Sequence, residues 1–272
     1  MPEASSEIFF PTLPEERMLV RMIWKVQERN LDAAKEMILP KGTAEIIFNL
    51  SEKGYCRKSN SSEIIDIPSS LINGVNFSPY EIVKSGYHCF FGIQLNPYAL
   101  KFLFRIPVAE LNDRVISSEL LCPELNILAE QVAAAGVFKR QTTIVMNWLR
   151  KKITASNGCL ADKRIAAIHY DGEVHNYSAG ALSKKYNLCD RQLRRIANEW
   201  MGMCPADYLI YRKYLKALYE IHKEKDSLTG VAYESGFYDQ AHLVRTFRFF
   251  TGYTPGKYKK MMGPLPGHIY FT

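Results

Sequence analysis

Six basic or amide side chains in the last third of the chain stand at helical spacing in two groups. One group occupies positions i, i+3 and i+4 of a predicted helix and so shares one face, and the other lies near the start of a second predicted helix. The six are Arg191, Arg194, Arg195, Gln240, His242 and Arg245. Arginine bonds guanine O6 and N7 in a bidentate manner or grips a phosphate, and glutamine reads adenine. These residue types suit contacts to DNA, but taken alone they equally fit an ordinary solvated helix face.

The two groups belong to an internal repeat with an offset of 50 residues. Residues 188–208 align with residues 238–258 and share five identical positions. The identical pairs are Leu193 and Leu243, Arg195 and Arg245, Gly202 and Gly252, Pro205 and Pro255, and Tyr208 and Tyr258. Each copy has the pattern of a short helix, a turn and a second helix, and the second helices are predicted over 190–201 and 239–250. This is the helix-turn-helix shape, and its repetition favours the DNA interpretation.

A single helix is predicted between the two copies, from Ala206 to about Lys223, with Pro205 at its first turn. At about 1.5 Å per residue, this helix would be about 27 Å long. One turn of DNA is about 34 Å, so the spacing allows two recognition helices to enter successive major grooves on one side of a duplex.

The positive charge of the chain is concentrated in the same region. Residues 1–156 carry 18 Lys and Arg against 17 Asp and Glu, whereas residues 157–272 carry 17 against 11. Nearly all of the formal charge of +7 therefore lies in the C-terminal part. A basic module beside a neutral one fits a polyanionic partner for the basic module alone, but it equally fits a merely basic, soluble domain, so the residue pattern has to decide between them.

The first half of the chain has a strand-and-turn texture. The predicted strands are 44–50, 64–67 and 80–95. Residues 119–153 are predicted to be helical, and the chain divides near residue 157. On this helix Ile144, Trp148 and Leu149 form an apolar strip. Two explanations of the strip stay open, namely dimerisation and packing within the chain.

Residues 160–260 resemble the DNA-binding domain of the AraC-type transcription regulators. In the first half of this region the matching residues are Leu193, Arg195, Gly202, Pro205 and Tyr208. In the second half they are Ala232, Gly236, Phe237, Asp239, Gln240, His242, Arg245, Phe247, Gly252, Pro255 and Tyr258. The stretch from Gly236 to Pro255 is the most specific part of the signature. The resemblance implies that the six side chains named above face the bases.

The first 115 residues resemble, over fewer positions, the cupin-like sensor domain of some of these regulators. The matching residues are Trp24, Leu39, Pro40, Gly42, Gly92, Ile93, Leu95 and Pro97. The resemblance implies an α+β protein with an N-terminal β-rich cupin-like barrel, a helical linker and a C-terminal all-α domain of two helix-turn-helix units. It leaves the identity of an effector open.

Enzymatic chemistry is not expected. The chain has no GxxxxGK[ST] phosphate loop and no GxSxG nucleophile elbow, and its first 156 residues contain a single histidine, His88. Enzymatic cupins hold their metal with several histidines, so His88 is expected to be structural. We therefore predict no catalytic residue, no metal and no cofactor. The N-terminus lacks a secretory signal and no run approaches about 18 apolar residues, which predicts a cytoplasmic protein without a membrane partner.

The predicted parts are a cupin-like sensor domain over 1–115, a helical linker and dimerisation candidate over 116–158, an AraC-type double helix-turn-helix domain over 159–262, and a tail over 263–272. The predicted function is that of a bacterial, sequence-specific DNA-binding transcription regulator controlled by an unknown effector of the N-terminal domain. Double-stranded DNA is the predicted partner, and a small-molecule effector, RNA polymerase and a second copy of the chain are further candidates. One alternative keeps DNA binding but makes the N-terminal domain a unit that only dimerises or binds a protein partner. Another is a protein-interaction module without DNA binding.

Overall fold

The structure is a computed structural model, and it describes residues 5–51, 55–58, 64–156, 163–223 and 227–271. It has the predicted α+β architecture, with a strand-rich N-terminal half followed by helices. All the strand pairings within these ranges are antiparallel. Among the residues described, no helix combines the length and the apolar character needed to cross a membrane.

The N-terminal half is built on a single nine-stranded sheet, counted over the described residues. The strands are β1 (Ser5–Phe9), β2 (Val20–Ile38), β3 (Ala44–Asn49), β4 (Tyr55–Lys58), β5 (Ile64–Asp66), β6 (Ser70–Asn73), β7 (Tyr80–Leu95), β8 (Val115–Ser117) and β9 (His268–Phe271). The main order is β1-β2-β7-β3-β6-β8, while β4 pairs with β5 and β7, and β9 pairs with β2. One cavity is lined by residues of strands from both edges of this order, so the sheet curls into what we call the barrel.

The predicted strands correspond closely to β3, β5 and β7, but the 19-residue strand β2 was not predicted. In β2, charged residues such as Lys25, Glu28 and Arg29 interrupt the apolar pattern that marks a strand in a sequence. Lys25 is nevertheless buried, and its Nζ donates to the Gly136 carbonyl at 3.1 Å. A buried ammonium group of this kind needs such a partner, and the sequence alone does not reveal it.

Helices surround the barrel and connect it to the C-terminal half. They are α1 (Pro14–Leu19), α2 (Ala99–Phe104), α3 (Ser118–Leu121), α4 (Glu124–Ala135), α5 (Phe138–Ala155) and α6 (Lys163–Tyr170). The helical character predicted for residues 119–153 is confirmed, but these residues form three helices, because helical structure is interrupted after α3 and again at Gly136, which has a φ of +65°. Trp148 and Leu149 are buried in the same core as the barrel residue Phe91. The apolar strip thus packs within the chain.

The repeat of the sequence is present as two structural units. The further helices are α7 (Ala179–Lys185), α8 (Asp190–Ile196), α9 (Pro205–His222), α10 (Leu228–Glu234), α11 (Gln240–Thr251) and α12 (Pro255–Met261). We call α7 with α8 the first unit, and α10 with α11 the second unit. Gly202 and Gly252 end the two units at φ values of +83° and +75°, and Pro205 and Pro255 then begin α9 and α12.

The two units pack differently on the rest of the molecule. The first unit shares one continuous apolar core with the barrel and the linker helices. The second unit has its own core with α9 and α12, and the barrel residue Leu39 enters that core. The predicted boundary between residues 158 and 159 lies outside the described residues.

Gly74, at the end of β6, marks a close approach between the sheet and a short 3₁₀ helix (Val108–Leu111). A Cβ added at Gly74 would lie 1.7 Å from the Leu111 carbonyl oxygen, which is backbone and cannot swing aside. The contact explains why a glycine is required at this position, beyond its turn-forming character.

We expect Gly74→Ala to destabilise the barrel by about 1–3 kcal/mol or more, as overpacking does in a filled core. Gly180→Ala is the matched control, because a Cβ on Gly180 meets nothing within 4 Å and alanine favours a helix. Thermal melts of the two full-length variants test this. Equal melting temperatures for both variants would contradict the assigned contact.

Candidate DNA-binding surface

The first candidate helix, α8, directs its arginines outward. Arg191, Arg194 and Arg195 are all exposed. On the opposite face, Leu193 and Ile196 are only 3% and 4% exposed and belong to the core shared with the barrel. Helix α8 therefore has the two faces that the sequence predicted.

The ends of α8 show how the sequence fixes it. The Cys189 N–H donates to the Gln192 side-chain oxygen at 3.0 Å, which satisfies one free donor at the helix start. The α-helical hydrogen bonding ends at Ile196, and residues 197–201 continue as a wider helical turn up to Gly202. The predicted helix over 190–201 is thus α-helical only in its first part, which is the part that carries the arginines.

The second candidate helix, α11, exposes two of its three predicted side chains. Gln240 and Arg245 are exposed, and the Gln240 side-chain oxygen accepts a hydrogen bond from the Thr229 hydroxyl at 3.0 Å. His242 is half-buried, with its ring edge-on to Phe237 at 5.2 Å between centroids. Arg245 aligns with Arg195 in the repeat, and both side chains are exposed on the second helix of their unit.

Asp239 is the N-cap of α11 rather than its first residue. Its Oδ1 accepts the His242 N–H at 2.6 Å. A carboxylate in this position satisfies a free amide and also interacts favourably with the helix dipole. The cap orients the first turn of α11, where Gln240 and His242 lie.

The turn of the second unit is held from the connecting helix α9. Gly236 has a φ of +76°, as the sequence predicted for the turn between the helices. The Lys213 Nζ donates to the Gly236 carbonyl at 2.5 Å, and burial lowers the pKa of Lys213. This contact ties the turn to α9 and so fixes where α11 begins relative to the first unit.

Tyr238 lies beside the predicted residues on this surface, but the sequence did not single it out. It directly precedes the cap residue Asp239 and is 94% exposed. Its counterpart in the repeat, Leu188, is only 6% exposed. This difference between the two copies was readable in the alignment and could have drawn attention to the position.

A cavity of about 280 Å³ lies inside the barrel. Its apolar wall includes Trp24, Ile47, Ile82 and Phe90. Its polar wall includes Glu28, Glu36, Lys41, Glu45, Lys84 and Gln94. In the parts of the chain with described positions, no group of three His, Cys, Asp or Glu side chains is placed to hold a metal ion.

The charges on the polar wall of the cavity are paired. The Lys84 Nζ lies 2.8 Å from a carboxylate oxygen of Glu28 and 2.8 Å from one of Glu36. Burial lowers the pKa of Lys84, but the two carboxylates raise it overall. Burial raises the pKa of Glu36, but the hydrogen bond with His268 and the Lys84 ammonium outweigh burial and lower that pKa to about 2. Both groups are therefore charged at neutral pH.

Two family models match the chain. Residues 182–261 match a helix-turn-helix domain, and residues 13–117 match a domain of unknown function, DUF6597. The first match begins within α7 and covers the rest of the two units with α9 and α12, and the second match covers most of the barrel.

Among curated proteins, the chain is similar to the HTH-type transcriptional activator RhaS of Pectobacterium carotovorum subsp. carotovorum, with 24% identity over 163 residues, 58% of this chain and 50% of the relative. RhaS of Pectobacterium atrosepticum is 33% identical over 78 residues, 27% of this chain and 28% of the relative. The chain thus spans half the length of these relatives or less.

Among solved structures, ToxT from Vibrio cholerae O395 aligns with a TM-score of 0.48 and 10% identity, covering 96% of this chain and 99% of that chain. The AraC-like transcriptional activator CuxR aligns at 0.34 and 14%, covering 78% and 86%. The helix-turn-helix match, the similarity to RhaS and the doubled unit of the structure agree with one another, and they confirm the resemblance of this region to the AraC-type regulators.

Proposed function

We propose that the protein is a sequence-specific transcription regulator that binds double-stranded DNA through α8 and α11. The observation that carries the proposal is the doubled helix-turn-helix unit with exposed arginines on the second helix of each copy. In this proposal each second helix enters a major groove, and α9 sets the distance between the two grooves. The regulator acts in the cytoplasm on RNA polymerase.

The roles of the six side chains follow from their exposure. The three arginines of α8 (Arg191, Arg194 and Arg195) and Arg245 of α11 are exposed cations that would contact base edges or phosphates. The side-chain oxygen of Gln240 already accepts a hydrogen bond from Thr229, so its side-chain NH2 is the group that would face the groove. His242 packs against Phe237 and supports the first turn of α11.

We further propose that the barrel cavity is the effector site. Each charged group of this wall already has a partner within the protein. Lys84 pairs with Glu28 and Glu36, and Glu45 accepts from Gln94 and lies near Lys41, so a charged ligand would have to displace one of these contacts. The occupant of this cavity is therefore a small neutral molecule with hydrogen-bonding groups on one side and an apolar face on the other. A thermal-shift screen of the full chain against neutral metabolites tests this assignment. Hits should lose their effect in a Lys84→Met variant and keep it in Lys139→Met on α5.

Removing an exposed arginine of α8 should weaken DNA binding. We expect Arg194→Ala or Arg195→Ala to cost about 1–3 kcal/mol in affinity for a sequence selected from random DNA, with relaxed specificity, if the contact is to a base. If the contact is to a phosphate, the slope of log K against log salt should fall by about 1. Gel-shift titrations at several salt concentrations measure both quantities.

Arg140→Ala is the matched control, because Arg140 is exposed on α5 and its substitution removes the same charge. The control should bind like the wild type. If both α8 variants bound like the control, α8 would not be a recognition helix. If no selected sequence bound in a salt-dependent way, the protein-interaction alternative would hold instead.

The cap of α11 should matter for both stability and DNA binding. We expect Asp239→Ala to lose about 0.5–2 kcal/mol of stability, because the His242 N–H loses its acceptor. Asp239→Asn keeps a capping oxygen and should retain most of that stability. Thermal melts and gel shifts of the two variants measure the difference, and equal losses in both would show that the cap does not orient α11.

A further inference from the structure

The tail, residues 263–271, reaches from the second unit back to the barrel. Helix α12 ends at Met261, and β9 begins seven positions later as a strand of the barrel sheet. β9 pairs with the final residues of β2, from Lys35 opposite Phe271 to Ile38 opposite His268. The backbone groups on this edge of β2 are thus paired by a segment that belongs to the DNA-binding half.

Side chains of the tail alternate between two environments, as they do in any strand. Ile269 is 1% exposed and lies in the core of the second unit together with Phe247 and Tyr258. Its neighbours His268 and Tyr270 line the barrel cavity. One short strand therefore contacts the cavity with one face and the core of the second unit with the other.

Hydrogen bonds hold the connection between α12 and the tail at both of its ends. The Gly267 N–H donates to the Tyr258 hydroxyl of α12 at 2.9 Å, and the Gly267 carbonyl accepts the N–H of the barrel residue Leu39 at 2.8 Å. The Gly263 N–H also donates to the His268 carbonyl at 2.9 Å, which closes the turn on itself. Because of these hydrogen bonds, a shift of the tail should also move α12.

His268 fits its site as a neutral ring. Its Nδ1 lies 2.5 Å from a Glu36 carboxylate oxygen, and its Nε2 lies 3.1 Å from the Lys41 Nζ. An ionised carboxylate only accepts and an ammonium only donates, so Nδ1 carries the proton and Nε2 accepts. Burial and the nearby Lys41 lower the pKa of His268, which agrees with this neutral form.

We propose that the tail is a latch that couples the barrel cavity to the second helix-turn-helix unit. A ligand in the cavity can contact His268 or Tyr270 only while the tail is docked on the barrel. Its binding therefore stabilises the docked state, and with it the position of the second unit against the barrel. The part concerning a ligand rests on the proposed effector site, whereas the mechanical coupling does not.

Hydrogen exchange on full-length variants tests the coupling without DNA or ligand. Ile269→Asp places a carboxylate in an apolar core, where an unpaired charge is costly in free energy. Undocking of the tail would return this carboxylate to water. We expect exchange to become at least tenfold faster in residues 267–271 and in α12, with β3 still protected. Leu265→Asp is the control, because Leu265 is half exposed and the same charge there should change little. Faster exchange in the tail alone would overturn the latch, and so would loss of protection throughout both halves.

A second pair of variants tests transmission from the cavity wall. Glu28 and Glu36 both lie 2.8 Å from the Lys84 Nζ, but only Glu36 bonds the His268 ring. We expect Glu36→Gln to make exchange in the tail and α12 several-fold faster and Glu28→Gln to leave it unchanged. Equal effects of the two variants on α12 would overturn the proposal. These experiments measure hydrogen exchange alone, so they test the coupling independently of DNA binding. A negative gel shift would not overturn the latch, and a negative exchange result would not overturn DNA binding.

Discussion

Two buried tyrosines of the connecting helix α9 fix the helical domain on the barrel. The Tyr211 hydroxyl accepts the Gly42 N–H at 2.9 Å and donates to the Asn76 carbonyl at 3.1 Å. The Tyr214 hydroxyl donates to the Pro40 carbonyl at 2.9 Å. Burial raises the pKa of both tyrosines, so both stay neutral and keep these bonds. Since α9 carries one helix-turn-helix unit at each end, the two barrel turns that contain Gly42 and Asn76 hold the helix that joins both units.

The two copies of the repeat meet different neighbours, and their sequences differ accordingly. Two of the identical pairs have the same local role in both units, since Leu193 and Leu243 are buried and Gly202 and Gly252 both end a helix with positive φ. Beyond these, the first unit is buried against the barrel core and the linker, whereas the second unit meets the barrel through Leu39 and the tail. The second unit is therefore the one with fewer apolar contacts to the sensor half, which makes it the one whose docking a small change can shift.

The sequence predicted the features that depend on local pattern and failed where distant residues decide. The repeat, the outward arginines of α8 and the positive φ of Gly236 each follow from spacing or from the conformational freedom of glycine. Strand β2 was missed because partners elsewhere in the chain compensate its charged residues, as Gly136 does for Lys25. Strand β9 was assigned only as tail because four residues become a strand only when an edge is available to pair with them. The pairing of Glu36 with His268 joins residues 232 positions apart, a separation that no sequence pattern encodes.

The arginine face of α8 is the feature that folding leaves unexplained. Arg191 stands three and four residues before Arg194 and Arg195, and like charges at such spacings destabilise a helix by about 0.2–0.5 kcal/mol per pair. The cost is small because all three arginine side chains are exposed to water. The arginines do not contribute to the packing of α8, because Leu193 and Ile196 make its contacts with the core. A polyanion at this face would reverse the sign of the interaction and release the counterions that the phosphates hold. The residues on the inner face of α8 are thus explained by the stability of the fold. The arginines on its outer face are explained by binding to a polyanionic partner.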